Sequence, residues 1–581
     1  MATVSLQQIF QFAAVNPGIL SVTVAQMALF HQLASMHRRD IILTLPSTAN
    51  IAEPPPRLSL SLEHFLSHAC ELTMNETRLC WAVVYTLSTG AVPAYHIHLY
   101  CPHCHINYHN NFYVHDGRRI YYTNHIPEYL QVGEHHFVER RLVNIWIVQM
   151  LTAWTSASNC ARIYNLTLRD TPSLDLNWQF SSTVRAEQVW DAFTVLCLLE
   201  DCERRNAILE VSHTAIQRNR FTEAIKVRND RIAHFGQEER SHYCNRCTQF
   251  EDPHPDSPDS RMYKFSAVVI DGITIGHPRC AVSDPPCMKP LSSQRDRFCS
   301  DHESRERECS IVGCANPSRE GHRSCTNPLH EAAERRHVDR NQALFQLKHR
   351  LQRQGVAHPI DSTRVDLDDD VEPDAGAKGD QEFILDGGQL APDGTCAPNG
   401  AEKLKAQFGR KSTHNEQVIV APCGIIIARA TFFDAEAILN VVKLIKDVYG
   451  LEAFWPDYIF FDNNCNLAKS VKFDKAFDHV GLPVDVFHFT CKHAQSDEWC
   501  QSYCNPALFP ELKKPDGSWR FNSSVAEQTN VWLGGYHAIL REMVAPRYNF
   551  VLDELIMRRN RMTKAALEKR CRAQNLFWTV T

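Results

Sequence analysis

The sequence lacks the features that mark a membrane or secreted protein. It has no uninterrupted apolar run of about 18 residues, so no membrane-spanning helix is predicted. Its start, MATVSLQQIFQFAAVNPGIL, has no basic region of the kind that precedes the apolar part of a secretory leader. It also lacks a positive overall charge, with a formal net charge of -6. Any DNA contact therefore has to come from local basic patches.

Cysteine, in contrast, is abundant, with 22 residues clustered among histidines. The segment CSIVGCANPSREGHRSCTNPLH, residues 309–330, is rich in Gly, Pro, Ser and Asn and poor in apolar side chains. An intracellular chain keeps its thiols reduced, and clustered thiols with interleaved imidazoles favour zinc. The sequence therefore predicts that a metal replaces the missing apolar core of this segment.

The block at 242–330 offers five ligand pairs. They are Cys244 with Cys247, Cys280 with Cys287, Cys299 with His302, Cys309 with Cys314, and Cys325 with His330. Ten ligands fill two tetrahedral zinc sites and leave one pair over, for which His277 or His322 is a candidate partner. Chain order does not determine the pairing, and the alternative is a set of buried free cysteines.

Two further clusters are candidate zinc sites. The earlier one has Cys101 and Cys104, with His103, His105 and His109 nearby, whereas Cys70 and Cys80 fall in an apparently helical pattern and are expected in a core. The later one contains Cys491, His493, Cys500 and Cys504, with His488 as a spare ligand.

Periodicity divides the rest of the chain. Residues 1–90 are predicted to be mostly helical, residues 95–122 to form aromatic strands with a hairpin at Asp116-Gly117, and residues 137–230 to be helical. A charged helix ending at Gly355 and an acidic linker over 356–400 follow.

The late part of the chain has an α/β pattern. QVIVAPCGIIIARATFF predicts one or two buried strands, DAEAILNVVKLIKDVYG a helix that ends at Gly450, and DYIFFDNN a short strand that ends on Asp462. An Asp at the end of such a strand can hold Mg²⁺, although a helix N-cap would also explain it. Glu527 can face Asp462 if its helix packs on the sheet; otherwise it is a surface residue.

Several long phrases resemble KDZ (Kyakuja-Dileera-Zisupton) transposases of the fungal type with attached cysteine clusters. THNEQVIVAPCGIIIARATFFDAEAI, FFDNNCNLAKSV, VDVFHFTCKHAQSDEWC and NSSVAEQTNVWLGGYHAILREM are similar to the transposase itself. GITIGHPRCAV through CTNPLH, and GAVPAYHIHLYCPHCHINYHNNFYV, are similar to two such clusters.

The resemblance implies an α+β multidomain protein. Small zinc-stabilised cysteine-cluster modules with helical connections come first, and a ribonuclease-H-like α/β domain follows. The implied domains are a helical region at 1–60, cysteine clusters at 61–170 and 195–335, a helix and disordered linker at 336–400, and the transposase domain at 401–581. The implied setting is the nucleus, with transposon-end or target DNA as partner, and chromatin proteins or a second copy of the chain as further candidates.

The resemblance also implies catalysis by an Asp, Asp, Glu set that binds two Mg²⁺ ions. Asp462 matches the second Asp and Glu527 the Glu. Relatives carry the first Asp before a segment like FGRKSTHNEQ, where this chain has Cys396-Ala397, so Asp393, or else Asp386, is the nearest substitute. The first cluster also lacks its usual upstream cysteine pair.

Two basic runs are candidates for phosphate contact. One contains Arg218, Arg220, Lys226, Arg228 and Arg231, and the other Arg558, Arg559, Arg561, Lys564, Lys569, Arg570 and Arg572.

Three functions remain open from the sequence. The first is a zinc-binding transposase, and the second is a decayed or domesticated DNA- or chromatin-binding zinc protein without catalysis. The third is a ubiquitin-ligase-like adaptor, which predicts cross-braced zinc ligands in 244–330 and no carboxylate cluster.

Overall fold

The computed structural model describes most of the chain in two compact units, residues 1–233 and 234–581. The described residues are 43–44, 77–100, 105–123, 126–168, 180–215, 219–251, 263–282, 285–339, 381–386, 389–390, 402–450 and 455–573. Asp393, Cys70, Cys101, His103, Cys104 and Arg218 lie outside them, as do most of the predicted linker and of the helix predicted before it. Within the described residues, no helix is both long and apolar enough to cross a bilayer.

The first unit combines a mostly antiparallel sheet, in which β2 and β8 run parallel, with helices. Its strands are β1 (Leu43–Thr44), β2 (Thr77–Thr86), β3 (Gly90–Tyr100), β4 (Asn107–Tyr108), β5 (Phe112–His115), β6 (Arg118–Tyr121), β7 (Tyr129–Gln131), β8 (His136–Glu139) and β9 (Glu210–Ser212). Its helices are α1 (Arg140–Ala153), α2 (Ala157–Thr167), α3 (Ala186–Arg204) and α4 (Thr222–Phe235). The strand order is β7-β8-β2-β3-β4-β5-β6-β9, and β1 pairs with β3.

The predicted helix at the start of this unit is wrong where the structure describes it. Residues Thr77–Thr86 form β2, which pairs with β3 along its whole length. The run WAVVYT is aromatic and β-branched, and such side chains suit a buried strand better than a helix. The hairpin prediction is confirmed, because Asp116 and Gly117 join β5 to β6 with φ values of 48° and 71°. That turn needs positive φ at both positions.

The second unit is built on a sheet of five strands. Its elements in chain order are β10 (Thr248–Glu251), β11 (Tyr263–Ile273), β12 (Pro278–Arg279), β13 (Gln381–Asp386), β14 (Gln389–Leu390), β15 (Glu402–Ala406), β16 (Lys411–Ser412), β17 (Asn415–Val420), β18 (Ile426–Phe432), α5 (Ile438–Tyr449), β19 (Tyr458–Phe461), α6 (Asn464–Val471), α7 (Val486–Cys491), α8 (Glu498–Tyr503), α9 (Val525–Gly534), α10 (His537–Leu540) and α11 (Ala545–Ala573). The predicted strand-helix-strand order of β18, α5 and β19 is confirmed.

In the five-stranded sheet, β10, β11, β17 and β18 are antiparallel neighbours, whereas β19 runs parallel to β11. Apolar side chains of the sheet and of α5 form the core, including Ile270, Ile419, Val441 and Phe461. These are β-branched or aromatic in the strands and spaced for one face in the helix, which is why each element forms where it does.

A long excursion separates β11 from β17. It leaves through β12 and returns through β16, which pair with each other through Pro278–Ser412 and Arg279–Lys411. The cysteine-rich segment lies inside this excursion, and the chain is helical over 328–339 at its end. Strands β13 and β14, with β15, form a separate three-stranded sheet, so part of the predicted acidic linker is paired.

Candidate functional site

The first candidate metal centre lies at the start of the excursion. The ligand atoms of Cys280, Cys287, Cys299 and His302 lie within 4.8 Å of one another. Cys287 Sγ is 3.7 Å from Cys299 Sγ, and His302 Nδ1 is 3.4 Å from Cys299 Sγ. Zinc bonds to sulfur of about 2.3 Å in a tetrahedron place two sulfurs about 3.8 Å apart. The donor set therefore fits one zinc ion.

The second centre holds the segment that lacks an apolar core. Cys309, Cys314, Cys325 and His330 bring their ligand atoms within 4.8 Å. His330 Nδ1 is 3.5 Å from Cys309 Sγ and 3.2 Å from Cys325 Sγ. The apolar cluster around them is small and includes only Ile311, Ala333, Ala406 and Phe408 besides the cysteines and Leu404. A metal ion bound by all four donors can stabilise this segment in place of an apolar core.

The ligand order in these two centres bears on the adaptor hypothesis. Each centre takes four consecutive candidate ligands, so the pairs are not interleaved. A cross-braced arrangement would alternate them, and this expectation of the adaptor hypothesis is wrong because each module is closed by neighbouring chain segments.

The pair left over in the sequence, Cys244 and Cys247, meets ligands that sequence reasoning missed. His242 and Cys423 complete a group of four buried residues whose ligand atoms lie within 4.8 Å. The expected partners lie elsewhere. The Nδ1 atom of His277 lies 2.9 Å from the Pro278 carbonyl oxygen, and the half-exposed His322 lies beside Glu334.

The late centre contains Cys465 rather than Cys491. Cys465, His493 and Cys500 form the group, and the Cys504 thiol hydrogen-bonds with Cys465. Cys491 is exposed at the end of α7, where its thiol lies 3.7 Å from the Thr490 hydroxyl. The prediction of Cys491 as a ligand is corrected, because α6 brings Cys465 inward directly after β19 while the last turn of α7 points outward.

The first unit carries a histidine-rich group in its described part. Cys80, His96 and His98 lie within ligand distance, and His109 Nδ1 is 3.1 Å from His98 Nε2. Cys80 and His96 are Cα partners across β2 and β3, which corrects the placement of Cys80 in a helical core. Burial, followed by the neighbouring His98 and His135, lowers the pKa of His96 to about 3. His105 is exposed and pairs with the Tyr100 hydroxyl at 2.7 Å.

An acidic site lies at the carboxyl ends of β11 and β19. These strands are parallel, and their register pairs Ile270 with Phe461. The next residues, Asp271 and Asp462, therefore follow side by side on adjacent strands. Burial, together with the nearby carboxylates of Asp462, Glu527 and Glu436, raises the pKa of Asp271 to about 7. Asn463, not Asp462, occupies the N-cap position of α6, so capping does not account for Asp462.

The third acid reaches the site from α9, which packs on β11. Asn530, one turn after Glu527, donates a 2.8 Å hydrogen bond to Asp271 Oδ2. Glu527 itself pairs with His488, whose Nε2 lies 2.8 Å from Glu527 Oε1, and the Nδ1 of His488 is 3.3 Å from Asp485 Oδ2. His488 thus contacts Glu527 of the acidic site and is not the spare zinc ligand expected for the late centre.

Asp271 comes from a segment that sequence reasoning did not consider for a carboxylate of this site. Asp393 lies outside the described residues, and Asp386 ends β13 in the separate three-stranded sheet. Asp271 stands about 140 residues before FGRKSTHNEQ because the excursion separates β11 from β17. The usable signal was AVVIDG, an apolar run followed by Asp, as in YIFFD at the end of β19.

The basic runs are largely engaged inside the protein. Arg220 and Arg228 are buried, and Arg231 pairs with Asp201 at 2.5 Å. In α11, Arg559 donates to the Gly424 carbonyl at 2.7 Å and Arg561 pairs with Glu238 at 3.3 Å. These arginines are corrected from phosphate-contact candidates to structural groups, whereas Lys569 and Arg570 are exposed.

The geometry defines a class of protein: a mixed α+β chain with several Cys/His groups that have the composition of structural metal centres. Comparison with protein families then finds two matching segments. Residues 58–168 match a CxC5-like cysteine cluster associated with KDZ transposases, and residues 269–336 match a CxC6-like cysteine cluster associated with KDZ transposases. Both matches support the resemblance to a KDZ-type transposase with CxC domains. No curated protein and no solved structure matches the chain.

Proposed function

We propose that the second unit is a ribonuclease-H-like DNA cleavage and strand-transfer domain, with Asp271, Asp462 and Glu527 as its Asp, Asp, Glu set. The observation that carries this proposal is the register that sets Asp271 beside Asp462 on adjacent parallel strands. Asp271 takes the place for which Asp393 was the candidate. The site lies at the carboxyl ends of the strands, where α/β sheets bind their ligands.

The surroundings of the three acids support this role. Two carboxylates that face each other at partial burial repel, as the raised pKa of Asp271 indicates, and a divalent cation relieves that repulsion. Asp271, Asp462 and Glu527 would hold two Mg²⁺ ions, which would supply activation of a water or a 3′ hydroxyl and stabilisation of the leaving oxygen of an in-line displacement. His488, held by Asp485, orients the Glu527 carboxylate towards this position.

The late metal centre contacts the backbone of one of the three acids and so supports the same site. His493 directs Nδ1 to Cys500 Sγ at 3.1 Å and its Nε2 to the backbone carbonyl of Asp462 at 2.9 Å. A ligand imidazole whose second nitrogen is held by a carbonyl is fixed in orientation, and here the contact also fixes the backbone of an acid. Zinc held by Cys465, His493 and Cys500 would therefore fix the backbone position of Asp462.

The cysteine-cluster modules have a separate role in this proposal. They are small units with zinc-type donor sets, and their family association supports DNA in general as a partner. Transposon ends or target DNA, chromatin proteins and a second copy of the chain are the partners we propose, in the nucleus.

The test uses purified full-length protein, supercoiled plasmid and Mg²⁺. Asp271→Asn, Asp462→Asn and Glu527→Gln are each expected to reduce nicking at least about 100-fold. Asp516→Asn, an exposed acid in a loop, serves as the matched control and retains full activity. Bound Mn²⁺, counted by electron paramagnetic resonance, should fall in the three site variants alone.

The same experiment separates the second hypothesis. If the folded wild-type chain binds DNA but leaves plasmid intact, and binds no more Mn²⁺ than the three variants, the proposal is overturned. The protein would then be a non-catalytic DNA- or chromatin-binding zinc protein.

A further inference from the structure

The group His242, Cys244, Cys247 and Cys423 lies outside both stretches that match cysteine-cluster families, residues 58–168 and 269–336. Three of its members precede the excursion between β11 and β17, and Cys423 follows it. All four are buried. This group therefore joins parts of the chain that the cysteine-cluster modules separate.

We propose that these four residues hold one structural zinc ion that fastens the two sides of the excursion together. The donor set of three thiolates and one imidazole is a standard set for structural zinc. Cys244 Sγ and Cys247 Sγ are 3.6 Å apart, and His242 Nε2 is 3.3 Å from Cys423 Sγ. Both separations match the spacing of neighbouring ligands around one tetrahedral ion.

The chain presents the first three ligands through a tight turn. The Thr248 amide donates to the Cys244 carbonyl at 2.8 Å, and the Cys244 amide lies 3.1 Å from Cys247 Sγ. Amide donors directed at a sulfur are the usual surroundings of a zinc-bound thiolate, because they stabilise its negative charge. The turn runs directly into β10, so the ion sits at the start of the sheet.

The fourth ligand comes from the turn between β17 and β18. The Ala421 amide donates to the Ile425 carbonyl and the Gly424 amide to the Ala421 carbonyl, both at 2.8 Å. Gly424 has φ of 93°, which its lack of a side chain permits. Arg559 of α11 holds the Gly424 carbonyl at 2.7 Å. The Cys423 thiol is thus aimed into the group by a rigid turn.

A disulfide is a poorer account of the same group. Three thiols cannot all pair, so a Cys244–Cys247 bond would leave Cys423 and the buried His242 ring with no bonding role. A zinc ion uses all four donors at once. The three cysteines also sit within the main apolar core of the unit, where unpaired polar groups are costly.

The position of the ion gives it a function in folding. The β11–β17 ladder runs from Val269 paired with Val420 to Ile273 paired with Glu416. The ion lies at the Val420 end, and Asp271 pairs with Val418 in the middle of the ladder. Bringing β17 back to β11 requires closing a loop of well over 100 residues, which is entropically costly, and a shared ion stabilises the closed state.

The experiment counts zinc per chain in purified full-length protein by elemental analysis. Cys423→Ala is expected to lose one equivalent and to lower the melting temperature. Cys491→Ala, which removes an exposed thiol, keeps the full count and the full melting temperature. Cys160→Ala removes a buried thiol of the first unit; it lowers the melting temperature but keeps the full count.

A ligand-conserving variant keeps the test decisive if Cys423→Ala does not fold. Cys423→His retains four donors and is expected to be soluble with the full zinc count. A folded Cys423→Ala chain with undiminished zinc overturns the proposal, as does a Cys423→His chain that has lost one equivalent. A Cys244–Cys247 disulfide in protein purified without oxidant, detected by thiol titration, also overturns it. None of these readouts depends on DNA cleavage.

Discussion

The ionised carboxylate of Asp271 lowers the free energy of unfolding, because its surroundings in the folded chain disfavour the negative charge. Burial of its carboxyl group, together with the nearby carboxylates of Asp462 and Glu527, raises its pKa from 3.8 to about 7. Folding therefore favours the protonated form. The penalty is absent below about pH 4, grows as pH rises, and is complete above pH 7.

We therefore predict that Asp271→Asn stabilises the protein in buffer that contains no magnesium. The gain should increase from pH 5.5 to 8 by about 1–2 kcal/mol, a value reduced from full linkage because the group is only partly buried. Chemical denaturation at the two pH values measures it. A gain that is constant with pH, or that shrinks as pH rises, would contradict the assignment of Asp271 to a crowded acidic site.

Magnesium should stabilise the wild-type chain relative to Asp271→Asn. Added Mg²⁺ is expected to raise the melting temperature of the wild-type chain and to leave that of Asp271→Asn nearly unchanged, because a ligand that binds only the folded state stabilises it. Thermal denaturation with and without Mg²⁺ at pH 8 is the measurement. Equal shifts in the two proteins would place the magnesium elsewhere.

Gly272, the neighbour of Asp271, is required by a close approach. A Cβ atom there would lie 2.5 Å from Asn415 Nδ2 and 2.6 Å from Gln417 Oε1, both on buried side chains of β17. Gly272→Ala is therefore expected to cost about 1–3 kcal/mol. Gly534→Ala is the matched control, since its nearest contact would be Ile273 at an ordinary 3.5 Å. Urea denaturation of both variants checks this, and equal stabilities would be inconsistent with the packing at Gly272.

At the scale of single elements, the sequence predicted the helices and strands that follow one another closely along the chain. It missed the strand that a long insertion separates from its neighbours in the sheet. Strands β17, β18 and β19 and helix α5 were predicted, because each is a continuous apolar pattern with a clear end. Strand β11 was not connected to them, because the excursion puts about 140 residues between Asp271 and its partner strand. Strand β2 was taken for a helix, because few of its residues alternate between polar and apolar.

The element that follows β19 gives a further prediction. Cys465→Ser is expected to lose one zinc per chain and, because His493 then no longer fixes the Asp462 carbonyl, to reduce magnesium-dependent nicking about 10–100-fold. Cys491→Ser should change neither quantity, since its thiol lies outside the group. Elemental analysis and the plasmid assay are run together. Full zinc with lost activity, or lost zinc with full activity, would disprove the link between the centre and the acid.

At the scale of the whole molecule, metal-ligand pairing was beyond sequence reasoning. The cysteine-rich modules were evident from composition, but His242 and Cys423 are 181 residues apart and only the fold brings them together. The role of the basic side chains was also beyond sequence reasoning. The basic runs looked like phosphate contacts, yet the structure uses their arginines in internal pairs such as Arg231 with Asp201.

The charge distribution predicts how the protein binds DNA. The net charge is -6 and many arginines pair within the protein, so we expect random duplex DNA to be bound weakly. The binding constant should fall only slowly as salt rises, because the counterions of fewer than about five phosphates are released.

Arg561→Gln is expected to leave the slope of binding constant against salt unchanged and to lower stability, because its guanidinium pairs with Glu238. Lys569→Gln, an exposed residue of the same helix, tests the opposite case and should reduce the slope by about 1 if it contacts a phosphate. Fluorescence anisotropy across a range of salt concentrations gives the slopes. A drop of about 1 for Arg561→Gln would mean that the Glu238 pair opens to DNA, and the basic helix would then be a binding surface rather than a structural one.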